Sequence, residues 1–232
     1  MINKNKICFF LPTRKGSQRV KNKNTRPFAN NGSLLENKLK QLIVTSKIDE
    51  IILSTNDEEC IRIAEPFLKE CSFFRIVERP EHLCLDTTNL QDLITYVPNI
   101  TDANHILWGH VTTPIVGTND YDNAIGLYLD KLKDGYDSLI GVTEFKNFLL
   151  NAQGKIINNT TSLPWPRTQD LESLYEINHT MFLAKREIYV EHKNRIGEHP
   201  YLFVMDKMKS FDIDWEEDYL IAELIYKSLY DE

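Results

Sequence analysis

The stretch Ile7-Cys8-Phe9-Phe10-Leu11-Pro12-Thr13-Arg14-Lys15-Gly16-Ser17-Gln18-Arg19-Val20-Lys21-Asn22-Lys23-Asn24 decides how the chain reads. Its first five residues are apolar without alternation, which suits a strand covered on both faces and expected over 6–11. A polar loop follows to about Phe28. In open α/β sheets ligands bind at the carboxyl ends of the strands, and this loop leaves the first of them. Gly16 permits positive φ, so successive backbone N–H groups can converge on an anion. Arg14 offers a bidentate fork and Lys23 a point charge. The spacing is neither that of a Walker A loop nor of a dinucleotide-binding Gly-x-Gly-x-x-Gly.

Charge supports that reading. Residues 1–35 hold eight basic side chains (Lys4, Lys6, Arg14, Lys15, Arg19, Lys21, Lys23, Arg26) and no acid. The whole chain is at −7, so the other 197 residues carry 19 basic and 34 acidic groups, a balance of −15. Nucleic-acid binding needs a broad basic surface, so none is expected. One basic loop on an acidic body suits a small, highly charged anion. Apolar residues at 42% and charged ones at 26% are ordinary for a folded protein, and the length suits a single domain over 1–232. No early apolar run spans a bilayer or resembles a secretory signal, which predicts a cytoplasmic protein without a membrane segment. Cys8, Cys60, Cys71 and Cys84 are scattered and read as small buried hydrophobes.

Outward from the first strand, helical spacing predicts helices over 33–46, 57–69, 120–133 and 215–230. The acids Asp57-Glu58-Glu59 read as a first turn complementing the helix dipole. Strands are expected at 50–54, 73–77, 105–109, 137–142 and 207–213. The alternation implies an α/β fold with a mainly parallel sheet and helices on both faces. Segment 145–184, polar and carrying Pro164 and Pro166, reads as an excursion from that sheet with a strand-like end at 175–183.

The loop from Leu11 to Asn24 closely resembles the nucleotide-binding signature of the acylneuraminate cytidylyltransferases, or CMP-sialic acid synthetases. Four further blocks resemble that family in order: Asp49 to Asp57, Arg79-Pro80-Glu81-His82-Leu83 with Asp86-Thr87-Thr88, Arg167 to Leu171, and Phe211-Asp212-Ile213-Asp214. The resemblance implies a Rossmann-like nucleotidyltransferase fold. It also implies an enzyme that joins CTP to the anomeric hydroxyl of an acidic nine-carbon sugar and releases pyrophosphate. On that likeness Arg14, Gly16, Ser17, Lys23 and Asn24 hold the nucleotide, Arg79 stands by its base, and Asp212 and Asp214 hold Mg²⁺. Arg14, Lys23 and Asp214 carry the catalysis, with Asp214 accepting or orienting the sugar hydroxyl proton. His110, Thr112, Arg167, Gln169 and Asn178 meet the acceptor. The family's dimers imply that segment 145–184 is a dimerisation arm bringing Arg167 to a neighbouring site in a homodimer.

The residues themselves leave alternatives open. Asp214 precedes a helix with Glu217 three residues on, a capping-box spacing. Where the family shows Gln-Pro-Thr-Ser-Pro-Leu-Arg, this chain has His110-Val111-Thr112-Thr113-Pro114-Ile115-Val116, and its usual Asn-Gly is Asn178-His179. These departures surround the expected acceptor while the nucleotide loop is intact. They fit an altered acceptor, ordinary drift, or a non-catalytic nucleotide-binding homologue. A nucleotidyltransferase for another acidic sugar, such as a 3-deoxy-octulosonate, is a further reading.

Overall fold

The computed structural model describes residues 5–29 and 32–230, so Lys4 lies outside the described residues. In chain order the elements are β1 (Ile7–Pro12), α1 (Leu34–Leu42), β2 (Glu50–Thr55), α2 (Glu58–Ala64), α3 (Phe67–Glu70), β3 (Phe74–Glu78), α4 (Leu90–Tyr96), β4 (His105–Trp108), α5 (Thr118–Lys131), β5 (Ser138–Phe145), β6 (Leu174–Lys185), α6 (Arg186–Glu191), β7 (Pro200–Val204) and α7 (Glu216–Tyr230).

Among the described residues the strands form one sheet in the order β3-β2-β1-β4-β6-β5-β7. β1 pairs in parallel with both β2 and β4, and only β6 runs against its neighbours. β1 shows why its sequence lacks alternation. Ile7, Phe9 and Leu11 enter a core with α1, α2, α5 and α7, while Cys8 and Phe10 enter a second core with α4 and α6. Complete burial of a Phe such as Phe9 contributes roughly 1.5–3 kcal/mol. The chain leaves β1 toward β2 and β3, then returns to the other side of β1 as β4. That reversal is the topological switch point at which such sheets bind ligands.

Three expectations need correction. The helix over 57–69 divides at Pro66 into α2 and α3, because proline cannot donate to the preceding turn. Asp57 caps α2 by accepting from Glu59 N at 3.0 Å. No strand covers 207–213. The last strand is β7, whose ladder ends when Met205 N donates to Val142 O, after which Ser210 N turns back onto Asp206 O. The excursion is also shorter than 145–184. The run Met181-Phe182-Leu183-Ala184 is buried on both faces, so the end of β6 is a central strand between β4 and β5. Only 146–173 stays off the sheet. The four cysteines are free and buried, as expected.

Candidate active site

The loop after β1 is fastened at both ends. Thr13 N donates to Ser54 O at 3.0 Å, extending the β1–β2 ladder. Beneath it, buried Arg79 donates through Nη2 to Thr13 O at 2.9 Å and Ser54 O at 2.6 Å. Burial lowers the pKa of that guanidinium. The backbone then turns at Gly16 with φ of 81°. Val20 is pinned in the core, and buried Asn24 returns its amide to Arg14 O at 3.5 Å. Ser33 caps the helix that follows, accepting from Glu36 N at 3.1 Å.

The loop roofs a cavity of about 320 Å³. Arg14, Ser17, Lys23 and Asn24 line it from the loop and Arg79 from below. His110 and Thr112 enter from the segment after β4. Gly16 borders an adjoining depression with Arg14, Ser17 and Asn24. The residues expected at the nucleotide therefore converge.

The loop cations are engaged by carboxylates and carbonyls of the chain itself. Arg14 donates to the Asp86 carboxylate and to Cys84 O at 3.3 Å, and Gln18 reaches the same Asp86 at 2.7 Å. Arg19 pairs with Asp214 at 2.8 Å. Lys23 Nζ donates to Ile213 O at 2.8 Å; burial pulls its pKa down, and Asp212 and Asp214 oppose the shift.

Beyond the Arg19–Asp214 pair lies a second cavity of about 520 Å³, lined by Asp212, Asp214, Asn178 and His179. Ile213 N is tied to Thr112 O at 3.0 Å and its side chain is buried. In an extended segment its neighbours Asp212 and Asp214 therefore share the opposite side. Asp212 Oδ1 is buried with no partner among the described residues. Burial, and then the Asp214 charge, raise the Asp212 pKa, while the Thr112 hydroxyl and Lys23 pull it back. The helix cap proves to be Asp218, which accepts from Asp214 N at 3.0 Å and Trp215 N at 2.7 Å. The helix starts one residue later than the Asp214–Glu217 spacing suggested, so the Asp214 carboxylate pairs with Arg19 instead. Among the described residues no group of three or more His, Cys, Asp or Glu is arranged for a metal. Asp212 and Asp214 supply two carboxylates.

The two cavities meet at a pair of histidines whose ring centroids are 6.2 Å apart. Burial, and then the Arg195 charge, push the His110 pKa down to about 3, so its imidazole is neutral. His179 has φ of 57°, a left-handed conformation that ordinarily favours glycine. Asn178 is spent internally: it donates to Thr143 Oγ1 at 3.2 Å and accepts from Thr180 N and Oγ1 at 3.2 and 2.7 Å. It shapes the cavity wall. Arg167 and Gln169 line neither cavity of their own chain, and Arg167 is exposed and forked onto Asp170 at 2.8 and 3.0 Å. At the departing position 116 the Val116 side chain is buried and its carbonyl accepts from fully buried Lys38 at 2.8 Å.

Sequence reasoning missed four groups around the site. Asp86 stood inside a quoted block without a role. Asp218 had a signal, as an acid in the first turn of a helix. The register of β4 and β6 sets Trp108 beside Phe182, and Arg195, between α6 and β7, stacks on both rings; no local pattern reveals either placement.

A family model described as cytidylyltransferase matches residues 8–229. The chain belongs to the cytidylyltransferase family. It is a nucleotidyltransferase. Among its relatives, a Campylobacter jejuni pseudaminic acid cytidylyltransferase is 24% identical, covering 95% of this chain and 96% of that one. A CMP-N,N'-diacetyllegionaminic acid synthase of the same species is 26% identical, covering 94% of each. In fold, the cytidylyltransferase is similar to a CMP:2-keto-3-deoxy-manno-octonic acid synthetase solved with CTP. That structure has a TM-score of 0.66 and 10% identity, with 97% of this chain and 99% of that chain covered.

Proposed function

We propose that this cytidylyltransferase joins CMP from CTP to the anomeric hydroxyl of a nonulosonic acid. The observation that carries the reading is the seam between the two cavities. Nucleotide-facing cations line one side, and Asp212 and Asp214 stand on the other, 2.8 Å from Arg19 through Asp214. CTP enters the first cavity, and its triphosphate displaces Asp86 from Arg14 and Asp214 from Arg19. The sugar hydroxyl oxygen then bonds to the α-phosphorus as the bond to the bridging oxygen of pyrophosphate breaks. Arg14 and Lys23 stabilise the charge that grows on the leaving group. Asp214, released from Arg19, accepts the hydroxyl proton.

The unpartnered buried oxygen of Asp212, beside a second carboxylate, fits a hard divalent ion completed by phosphate oxygens and water. Asp212 and Asp214 would hold Mg²⁺ there, and the bound ion would supply Lewis-acid stabilisation of the phosphate charge. The acceptor is an acidic nine-carbon sugar in this reading, in line with the names of the two relatives. His110 and His179, at the cavity junction, support an acceptor other than common N-acetylneuraminate.

A homodimer completes the reading. Leu150, Leu163 and Trp165 are exposed on segment 146–173 beside Arg167 and Gln169, a surface that suits cover by a second copy and delivery of those polar residues to its site. The reading places the enzyme in the cytoplasm, where nucleoside triphosphates are supplied; among the described residues no helix is long and apolar enough to cross a membrane. Pyrophosphate release from CTP and Mg²⁺ with a panel of acid sugars tests the activity. Retained CTP binding without release for any acid favours a non-catalytic homologue, and release only with 3-deoxy-octulosonate favours that acceptor.

A further inference from the structure

Arg195 lies between α6 and β7 with its guanidinium carbon 3.6 Å from the Phe182 ring centroid and 4.9 Å from that of Trp108. Every other arginine of the chain donates to a carboxylate or a carbonyl. The Arg195 guanidinium has neither a hydrogen bond nor an ion pair among the described residues, its backbone N alone donating to Asn194 Oδ1 at 2.8 Å; burial lowers its pKa, and the Tyr189 phenol opposes that. Five guanidinium donors held against aromatic rings without an acceptor are costly unless a ligand or water meets them.

The surroundings are equally short of acceptors. Trp108 Nε1, Tyr189 Oη and His110 Nε2 are all buried without a partner among the described residues. The indole is donor only, and a phenol donates readily. Trp108 and His110 line the first cavity together with Leu90 and Leu93 of α4. The Gln91 side chain ties α4 to Lys193 O, two residues from Arg195. Arg195 itself is only half-buried and does not line that cavity, but its guanidinium lies over the ring of Trp108, which does. A cation and a set of unused donors, with no carboxylate among them, are complementary to an anion bearing several acceptor oxygens.

We propose that Arg195, with the indole N–H of Trp108 and the imidazole of His110, forms the subsite that takes the carboxylate of the acceptor. The proposal rests on the acid-sugar reading above and adds the group that recognises the acid. An Arg195 that serves only as a packing pillar on Phe182 is the competing account.

The test uses the full chain with pseudaminic acid and N,N'-diacetyllegionaminic acid, each as free acid and as methyl ester. Binding is followed by calorimetry and turnover by pyrophosphate release. Arg195→Gln raises the acceptor KM at least tenfold, leaves the CTP KM within twofold, and erases most of the preference for acid over ester. Arg195→Lys restores part of that preference, and Trp108→Phe, which keeps the ring and removes the donor, weakens it. An unchanged acid-to-ester ratio, or equal rises in both KM values, overturns the subsite. A lowered melting temperature with the ratio intact marks the packing pillar and also overturns it. Acid binding that needs Arg195 without any turnover keeps the subsite and sinks the activity. Turnover with binding indifferent to Arg195 does the reverse.

Discussion

Arg19 and Asp214 meet at 2.8 Å across the seam of the two cavities, with both side chains about half exposed. An exposed pair of this kind is worth little and is screened by salt. In the proposed reaction it is a weak contact between the loop after β1 and the segment before α7 that an incoming triphosphate can replace.

Asp212→Asn is expected to lower turnover by on the order of a hundredfold or more while leaving the fold intact. The carboxylate pKa is raised in the fold, so the folded protein keeps a proton there that the unfolded chain has lost. Stability then falls as pH rises through that window, and Asn removes the loss. Thermal denaturation should show the variant at least as stable as the parent at neutral pH. Added Mg²⁺ with CTP should raise the melting temperature of the parent more than that of the variant. Preserved turnover would refute the metal assignment.

Asp86→Asn releases Arg14 and Gln18 for the nucleotide. The expected result is a CTP KM about two- to fivefold lower, with the effect shrinking at high salt because the pair is exposed. Arg14→Lys is expected to raise that KM, since an ammonium cannot fork onto two oxygens. Steady-state kinetics at two salt concentrations check both.

Lys38 is fully buried under the loop after β4, donating to Thr113 O at 3.0 Å, Val116 O at 2.8 Å and Tyr121 Oη at 2.9 Å. Burial lowers its pKa from 10.5 to about 7. Between those values the unfolded chain binds a proton that the folded protein does not, so stability rises with pH across that window. Lys38→Met loses this slope and leaves carbonyls unpaired, costing about 1–3 kcal/mol. Denaturant titrations from pH 6 to 10 follow both effects.

His179→Gly relieves a left-handed residue, so its stability is expected to stay within about 1 kcal/mol of the parent despite the lost side chain. The acceptor range should widen as bulk leaves the wall of the second cavity. His110→Gln should leave the pH dependence between 5 and 8 unchanged, because His110 is neutral throughout that range. Acceptor profiles and pH–rate curves measure these outcomes.

β1 and its loop were legible because burial on both faces writes an unbroken apolar run, and the loop cations that line the cavity stand in a stretch without acids. The last strand was not. Tyr201-Leu202-Phe203-Val204 is a short run behind His199-Pro200, whereas 207–213 looks like an approach to Asp212 and is held as a loop by Ser210 N and Ile213 N. α4 escaped as a seven-residue helix, although Asn89 as its cap and Leu90, Leu93 and Ile94 at helical spacing carried a signal. The Asp212–Asp214 pair was readable from its motif. Its isolation was not, because the capping role fell to Asp218 only once the first turn of α7 was set. The placement of Arg195 over Phe182 depends on β6 lying beside β4, a long-range pairing that no local window contains.

The central claim is transfer of CMP to an acid sugar at the seam between the cavities. The most direct measurement is pyrophosphate release with CTP, and with the other three nucleoside triphosphates as controls, across a panel of nonulosonic acids in the presence of Mg²⁺. The account predicts release with CTP, with at least one nonulosonic acid other than N-acetylneuraminate as the best acceptor, and loss of that release in Asp212→Asn. Equal use of all four nucleotides, or no release with any acid, would contradict it.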